Sequence, residues 1–354
     1  MEEFITLLKS LISTPSLSGN EDAAATIIRK FLEIKEVPFQ SSGNNTWAIN
    51  HYAGAEKPVV MLNSHIDTVR PASGWSTDPF IPLEEGDRIT GLGSNDAGAS
   101  LVSLLAVFLH FYDRRDLPFN LIFAATAEEE NSGERGLRSI LGELPPASLV
   151  IVGEPTGMQM AIAERGLLVL DCVARGKAGH AAREEGENAL YKALDDIALL
   201  RSFRFPRVSE LLGPVKISVT QIEAGTQHNV VPDTCRFTAD VRTNEYYSNE
   251  EAFMMISGAI TSQAQPRSFR LNSSGISPDH PIVLRAKELG IPQYGSPTTS
   301  DQAVIPYPSV KIGPGDSARS HTAGEFILKS EISDGVEKYI LLLEGYPRNE
   351  VQQR

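Results

Sequence analysis

Residues 58–67 read Pro58-Val59-Val60-Met61-Leu62-Asn63-Ser64-His65-Ile66-Asp67. The apolar run from Pro58 to Leu62 predicts a short buried strand. His65 and Asp67 then follow at its carboxyl end. The same figure recurs twice. Asn120-Leu121-Ile122-Phe123-Ala124-Ala125 leads into Ala127-Glu128-Glu129-Glu130, and Leu149-Val150-Ile151-Val152 leads into Gly153-Glu154-Pro155. Between these runs, residues 97–112 and 136–141 predict helices. The alternation predicts an α/β domain with a mostly parallel sheet. In such sheets functional sites form in the crevice outside the carboxyl ends of the strands. A fourth polar segment, Gly91-Leu92-Gly93-Ser94-Asn95-Asp96-Ala97-Gly98, stands just before a predicted helix.

The middle of the chain has a different rhythm. Strand-like segments at 167–173, 215–222, 235–241 and 268–271 alternate with helical spacing at 187–200 and 250–261. The order β-α-β-β-α-β is that of a ferredoxin-like α+β module. The final part returns to α/β character, with helices expected at 281–289 and 330–343 and a strand at 310–312. The expected layout is therefore a catalytic, metal-binding domain made of residues 1–165 and 275–354, with residues 166–274 inserted as a dimerisation or lid domain.

The chain has 354 residues, enough for two domains. Its formal net charge of −13 argues against binding along a phosphate backbone, which needs a basic face. Cys172 and Cys235 lie far apart and outside any Cys-x-x-Cys, so reduced thiols are expected. Met1-Glu2-Glu3 is acidic where a secretory signal would be basic, and Phe4, Leu7, Leu8 and Leu11 share one helical face. The longest apolar stretch, Ala99–Tyr112, is short for a bilayer and reads as a buried helix. A cytoplasmic protein is expected, with no nucleic-acid or membrane partner.

Each polar segment has an ordinary explanation when taken alone. Glu128-Glu129-Glu130 suits a helix N-terminus, Asp96 suits a helix cap, and an isolated histidine or carboxylate on a loop is usually solvated. Together they form a His, Asp and Glu set of the kind that binds a borderline-soft divalent metal, with zinc the default and cobalt or manganese as competitors. One imidazole is too few for two metals, and Ala318-Arg319-Ser320-His321-Thr322 supplies a second. Two metals about 3.5–4 Å apart need a shared ligand, for which Asp96 on its glycine-flanked turn is suited.

These motifs resemble those of the M20 metallopeptidases, the group that includes acetylornithine deacetylase and succinyl-diaminopimelate desuccinylase. His-x-Asp, Gly-x-Gly-x-x-Asp, a Glu-Glu pair, a later Glu and a C-terminal His occur in the family's order, and the likeness runs nearly end to end. The resemblance implies that His65, Asp96 and Glu154 hold one zinc, and that Asp96, Glu129 and His321 hold the other. It implies that Asp67 orients His65 through the second ring nitrogen and that Glu128 is the general base. It also implies a cis peptide at Asp96-Ala97. Gly176-Lys177-Ala178-Gly179-His180 resembles a segment whose histidine serves the partner subunit's oxyanion, which implies a homodimer. Asn229 in Asn229-Val230-Val231-Pro232, Arg242 in Asp240-Val241-Arg242, and Ser300 in Ser300-Asp301 match substrate-binding positions, with Arg242 clamping a carboxylate. The chain departs from the family pattern at Ser64, at Thr68-Val69-Arg70 and at Ala97-Gly98-Ala99, which bear on substrate detail.

The expected activity is hydrolysis of the amide bond of an N-acyl amino acid, in particular deacetylation of N-acetylornithine in arginine biosynthesis. A succinyl group would need a further cation, with Arg70, Arg165 or Lys177 as suppliers. The alternatives are desuccinylation of an N-succinyl amino acid, a dipeptidase on the same site, and a non-catalytic binding protein. The last would be expected to lose ligands that this chain retains.

Overall fold

The computed structural model describes residues 1–346. The chain forms two compact units. The first comprises residues 1–162, 276–294 and 305–346 of the described chain, and the second comprises residues 163–275 and 295–304. The second unit thus differs from the expected insertion in one segment. Residues 295–304 pack with it because Thr299 Oγ1 donates to the Arg165 carbonyl, and Ser300 donates to Glu164 through both its amide and its hydroxyl.

In the first unit the sheet is mixed rather than mostly parallel throughout. Its centre is parallel: Val59–His65 pairs with Asn120–Thr126 on one side and with Leu149–Val152 on the other. Ser309–Lys311 continues the parallel run beyond Leu149–Val152. The flanks are antiparallel, with Asn45–Ile49 against Asn120–Thr126 and Met160–Glu164 against Ser309–Lys311. The Val59–His65 and Asn120–Thr126 strands are buried along their whole length, which is why they read as continuous apolar runs without alternation. Val60, Leu62, Leu121 and Phe123 share one core with Leu8, Ile28, Leu104 and Phe108 of the helices Glu2–Ile12, Asp22–Ile34 and Ala99–Phe111. Helix Lys329–Glu344 closes the same core through Ile332, Tyr339 and Leu342. Each large apolar side chain withdrawn in this way contributes roughly 1.5–3 kcal/mol.

Helix Ala99–Phe111 is buried on nearly every side. Ser94–Phe111 has the length and composition of a membrane span, but 83% of it is buried inside the fold. That burial explains its weak amphipathic pattern, since a helix covered all round needs no polar stripe.

The second unit is a four-stranded antiparallel sheet in the order Lys216–Ala224, Thr234–Arg242, Leu168–Arg175, Gln263–Pro266. Helices Ala189–Ser202 and Asn249–Ser257 complete the ferredoxin-like order. Strand Leu168–Arg175 alternates buried and half-exposed positions, as expected for a sheet with one covered face. Its last strand lies at Gln263–Pro266, not at 268–271. Residues 268–271 instead form an irregular segment fastened by Ser268 Oγ and Asn249.

Candidate metal centre

His65 is the last residue of the Val59–His65 strand, and its side chain is only 1% exposed. Nδ1 lies 2.9 Å from the backbone carbonyl of Asp67, to which it donates, and 3.4 Å from the Asp67 carboxylate. The orienting bond expected of Asp67 therefore comes chiefly from its main chain. With Nδ1 used, Nε2 points at Asp96 Oδ1 at 3.3 Å and Glu154 Oε1 at 3.7 Å. The Asp67 carboxylate has a different task. Oδ1 accepts the Glu129 amide at 3.1 Å, and Oδ2 accepts the Glu130 amide at 3.1 Å and Ser18 Oγ at 2.7 Å. Burial would raise the Asp67 carboxyl, but the hydrogen bonds from His65, Ser18 and Glu130 hold it below its ordinary value.

Asp96 sits on a turn made possible by Gly93 at φ 75°, where a Cβ would also lie 2.7 Å from Thr68 Cγ2. The Asp96-Ala97 peptide is cis. The two Asp96 oxygens face different imidazoles: Oδ1 faces His65 Nε2, and Oδ2 lies 3.5 Å from His321 Nε2. His321 also meets Glu130, with Nε2 3.0 Å from Oε2. Glu154 follows the Leu149–Val152 strand, with Gly153 N bonded to the Asn63 carbonyl at 2.7 Å. Two groups of three donors have all their ligand atoms within 4.8 Å of one another: His65, Asp96 and Glu130, and His65, Glu129 and Glu154.

This geometry shifts the glutamate assignment by one residue. Glu128 turns away from the cluster at φ 56°. Its carboxylate accepts the Arg135 amide at 2.9 Å and Arg135 Nε at 2.8 Å, with Nη2 at 2.6 Å. A Cβ on Gly133 would lie 2.1 Å from Glu128 Oε2, so the loop closes on this side chain. Glu130, not Glu129, is the carboxylate against His321, and Glu129 is the one grouped with His65 and Glu154. The physical reason is the left-handed turn at Glu128, which sends the next two amides onto Asp67. A run of three glutamates contains no signal that selects the pair.

The electrostatics are those of an anionic pocket. Burial, opposed by the charges of His65 and Lys311 and joined by those of Asp96 and Glu130, pushes Glu154 up to about 8. Burial would depress His65, but its bonds to Asp67 and Asp96 and the nearby Glu154 and Glu129 raise it well above the usual imidazole value. The Glu130 hydrogen bond, with burial opposing, lifts His321 to about 9. Asp96 lies below its usual value, because the imidazole partners outweigh the burial that would raise it.

The donor set fits divalent cations. Ligands about 2.0–2.2 Å from one tetrahedral ion stand about 3.3–3.6 Å from each other. The nitrogen–oxygen separations here, 3.3, 3.7, 3.5 and 3.0 Å, fall around that edge length. Crowded buried carboxylates beside two imidazoles also call for positive charge.

The other expected site residues belong to the second unit. His180 and Asn229 lie side by side on a two-stranded ribbon, where Gly179–His180 pairs with Val230–Val231. The Asn229 carbonyl accepts the Ala181 amide at 3.0 Å. His180 Nδ1 accepts the Ala182 amide at 3.1 Å, which leaves the proton on Nε2 of an exposed ring. Arg242 spends its paired edge on Asp240, at 2.8 and 3.0 Å, while Nη1 meets Thr299 Oγ1 at 3.3 Å. The two-pronged clamp expected of it is thus already occupied within the fold. Ser300 is buried against Glu164, with Oγ donating at 2.7 Å, rather than presented on a surface. Arg165 donates to the carbonyls of Pro214, Leu212 and Arg242.

A histidine–carboxylate cluster at the carboxyl edge of parallel strands is the donor set of a metal-dependent enzyme. Comparison with known proteins gives the particular family. Residues 61–345 match Peptidase family M20/M25/M40, and the chain belongs to that family. A probable carboxypeptidase of Aspergillus niger is 26% identical, over 97% of this chain and 89% of the relative. A succinyl-diaminopimelate desuccinylase of Gluconobacter oxydans is 24% identical, over 76% of this chain and 74% of the relative. The YXEP protein of Bacillus subtilis, a dinuclear metal binding peptidase of the M20 family, has a similar fold. Its TM-score is 0.73 at 19% identity, over 97% of both chains.

Proposed function

We propose that this metal-dependent hydrolase deacylates an N-acyl amino acid, with N-acetylornithine as substrate in arginine biosynthesis and two zinc ions in the cluster. The observation that carries the reading is Asp96, whose two oxygens face two different imidazoles, as a carboxylate shared by two cations must. His65, Asp96 and Glu154 would hold one ion, and Asp96, Glu130 and His321 the other. Bound there, the ions supply a polarised scissile carbonyl and a water acidic enough to attack at neutral pH. Glu129 is the remaining carboxylate of the cluster, and its amide is pinned by Asp67. It takes a proton from the attacking water and passes it to the leaving amine as the carbon–nitrogen bond breaks. The products are a carboxylate and an amine.

His180 Nε2–H would donate to the developing oxyanion in a partner subunit. The homodimer this requires is supported by Tyr191 and Leu194, exposed on helix Ala189–Ser202, and by the outer strand Lys216–Ala224. Asn229 stands beside His180 on the same ribbon. A substrate carboxylate would meet Arg242 through Nη1 rather than through its paired edge. The buried, unpaired Cys172 and Cys235 suit a reducing cytoplasm.

The relatives named carboxypeptidases favour a second reading. An N-acyl amino acid and a peptide C-terminus present the same amide next to a terminal carboxylate, so one site serves either. Hydrolysis of acetylornithine, succinylornithine, acetylcitrulline, succinyl-diaminopimelate and short peptides, with zinc and then with chelator, separates them. Preference for acetylornithine, abolished by chelator, is the expected result. Preference for peptides supports the carboxypeptidase reading, and the absence of metal-dependent turnover on all five refutes both.

A further inference from the structure

The loops that carry Asp96 and His321 are far apart in sequence, yet they are fastened to each other twice. Glu325, in the loop that carries His321, is 1% exposed. Its Oε1 accepts the amides of Asn95 and Asp96, both at 2.9 Å, and its Oε2 accepts the Gly93 amide at 3.2 Å. Its own carbonyl accepts the Gly91 amide at 3.0 Å. Asn95 returns the contact. Its Oδ1 accepts the Asp316 amide at 2.9 Å, and its Nδ2 donates to the Asp316 carbonyl at 3.1 Å and to Ser320 Oγ at 3.3 Å. The residue before Asp96 thus grips the run into His321, and a residue beyond His321 grips the amide of Asp96 itself.

We propose that Glu325 is a positioning residue for the metal centre, with Asn95 as its counterpart. Together they lock the Asp96 and His321 loops into one arrangement, so that a single carboxylate meets both imidazoles. This rests on the two-metal reading above. A buried carboxylate costs desolvation that simple packing does not require. Its use here is that three amides converge from one loop, and only two acceptor oxygens on one rigid group satisfy them together. His321 itself adopts φ 59°, a backbone conformation that needs its surroundings to hold it.

The test is Glu325→Gln, which keeps the shape. One amide oxygen remains, and an NH2 group now faces an N–H it cannot accept. Zinc chloride is titrated calorimetrically into chelator-treated protein, with folding of each variant checked by circular dichroism. The expected result is a folded variant that binds zinc about 10–100-fold more weakly, the range for loss of a group that orients metal ligands. Glu331→Gln is the control. Glu331 pairs with Arg319 in the same loop at 2.7 Å without contacting Asp96, so its zinc affinity should stay within about twofold of the unaltered protein. Unchanged zinc binding by Glu325→Gln would overturn the proposal, as would equal weakening by Glu331→Gln. Absence of zinc binding by the unaltered protein would instead remove the two-metal reading, and this inference with it.

Discussion

The assignment of the three consecutive glutamates is decided by comparing Glu128→Gln with Glu129→Gln. Glu128 is turned into the loop and satisfied by Arg135, whereas Glu129 belongs to the donor group with His65 and Glu154. Removing a general base typically lowers the rate 10²–10⁴-fold, or about 3–5 kcal/mol of transition-state stabilisation. Glu129→Gln should therefore lose about that much kcat with KM little changed. Glu128→Gln keeps one oxygen for the Arg135 amide, and the lost charge pairing involves an Arg135 side chain that is 77% exposed. Solvent screening limits that loss to about 1 kcal/mol of stability, and activity should stay within about tenfold. Steady-state rates on the best substrate, with melting temperatures as a folding check, provide the assay. A loss of about 10³-fold in Glu128→Gln, with Glu129→Gln active, would refute the one-residue shift and return the base to Glu128.

Metal binding should weaken as pH falls. In the metal-free protein Glu154 titrates at about 8 and His321 at about 9. Both must be deprotonated to act as ligands, so each bound proton displaced costs about tenfold in apparent affinity per pH unit. Competition with a metal indicator at pH 6, 7 and 8 should show this slope, and a flat profile would contradict the assignment. His321→Ala should reduce zinc stoichiometry from two to one while the protein stays folded, as read by elemental analysis after dialysis; retention of two ions would exclude His321 as a ligand. Gly133→Ala places a Cβ 2.1 Å from Glu128 Oε2, so the loop presenting Glu129 and Glu130 must move. Its kcat should fall at least tenfold with the melting temperature lowered by only a few degrees, and wild-type kcat would show that the loop is not held as described.

Much of this was legible in the sequence because it depends on local pattern. Buried parallel strands read as apolar runs, and the residues that follow them read as ligands. His65 and Glu154 were visible in that way, Asp96 by its glycine-flanked turn before a helix, and His321 as the second imidazole that a two-metal set needs. The antiparallel flank Asn45–Ile49 was missed because its short, mixed segment Asn45-Thr46-Trp47-Ala48-Ile49 has no clear period. The glutamate frame was missed because it depends on one backbone dihedral. The occupation of Arg242 by Asp240 is a neighbour effect across one strand face, and the sequence places the two residues together without saying whether they pair. Glu325 and Asn95 were missed because their partners are mainly backbone amides and a carbonyl, which leave no mark on residue identity.

The parallel pairing is what makes the cluster possible. Val59–His65, Asn120–Thr126, Leu149–Val152 and Ser309–Lys311 run the same way in adjacent register. Their carboxyl ends therefore share one edge, and each chain segment leaving that edge delivers a donor: His65, then Glu129 and Glu130, then Glu154, then His321. An antiparallel neighbour would leave the sheet at the opposite edge, and the antiparallel flanks accordingly contribute no donor to either group of three. Asp96 is the exception, coming from a turn rather than from a strand end. It is also the residue whose placement requires other side chains, Glu325 and Asn95, to supply what the sheet supplies to the rest.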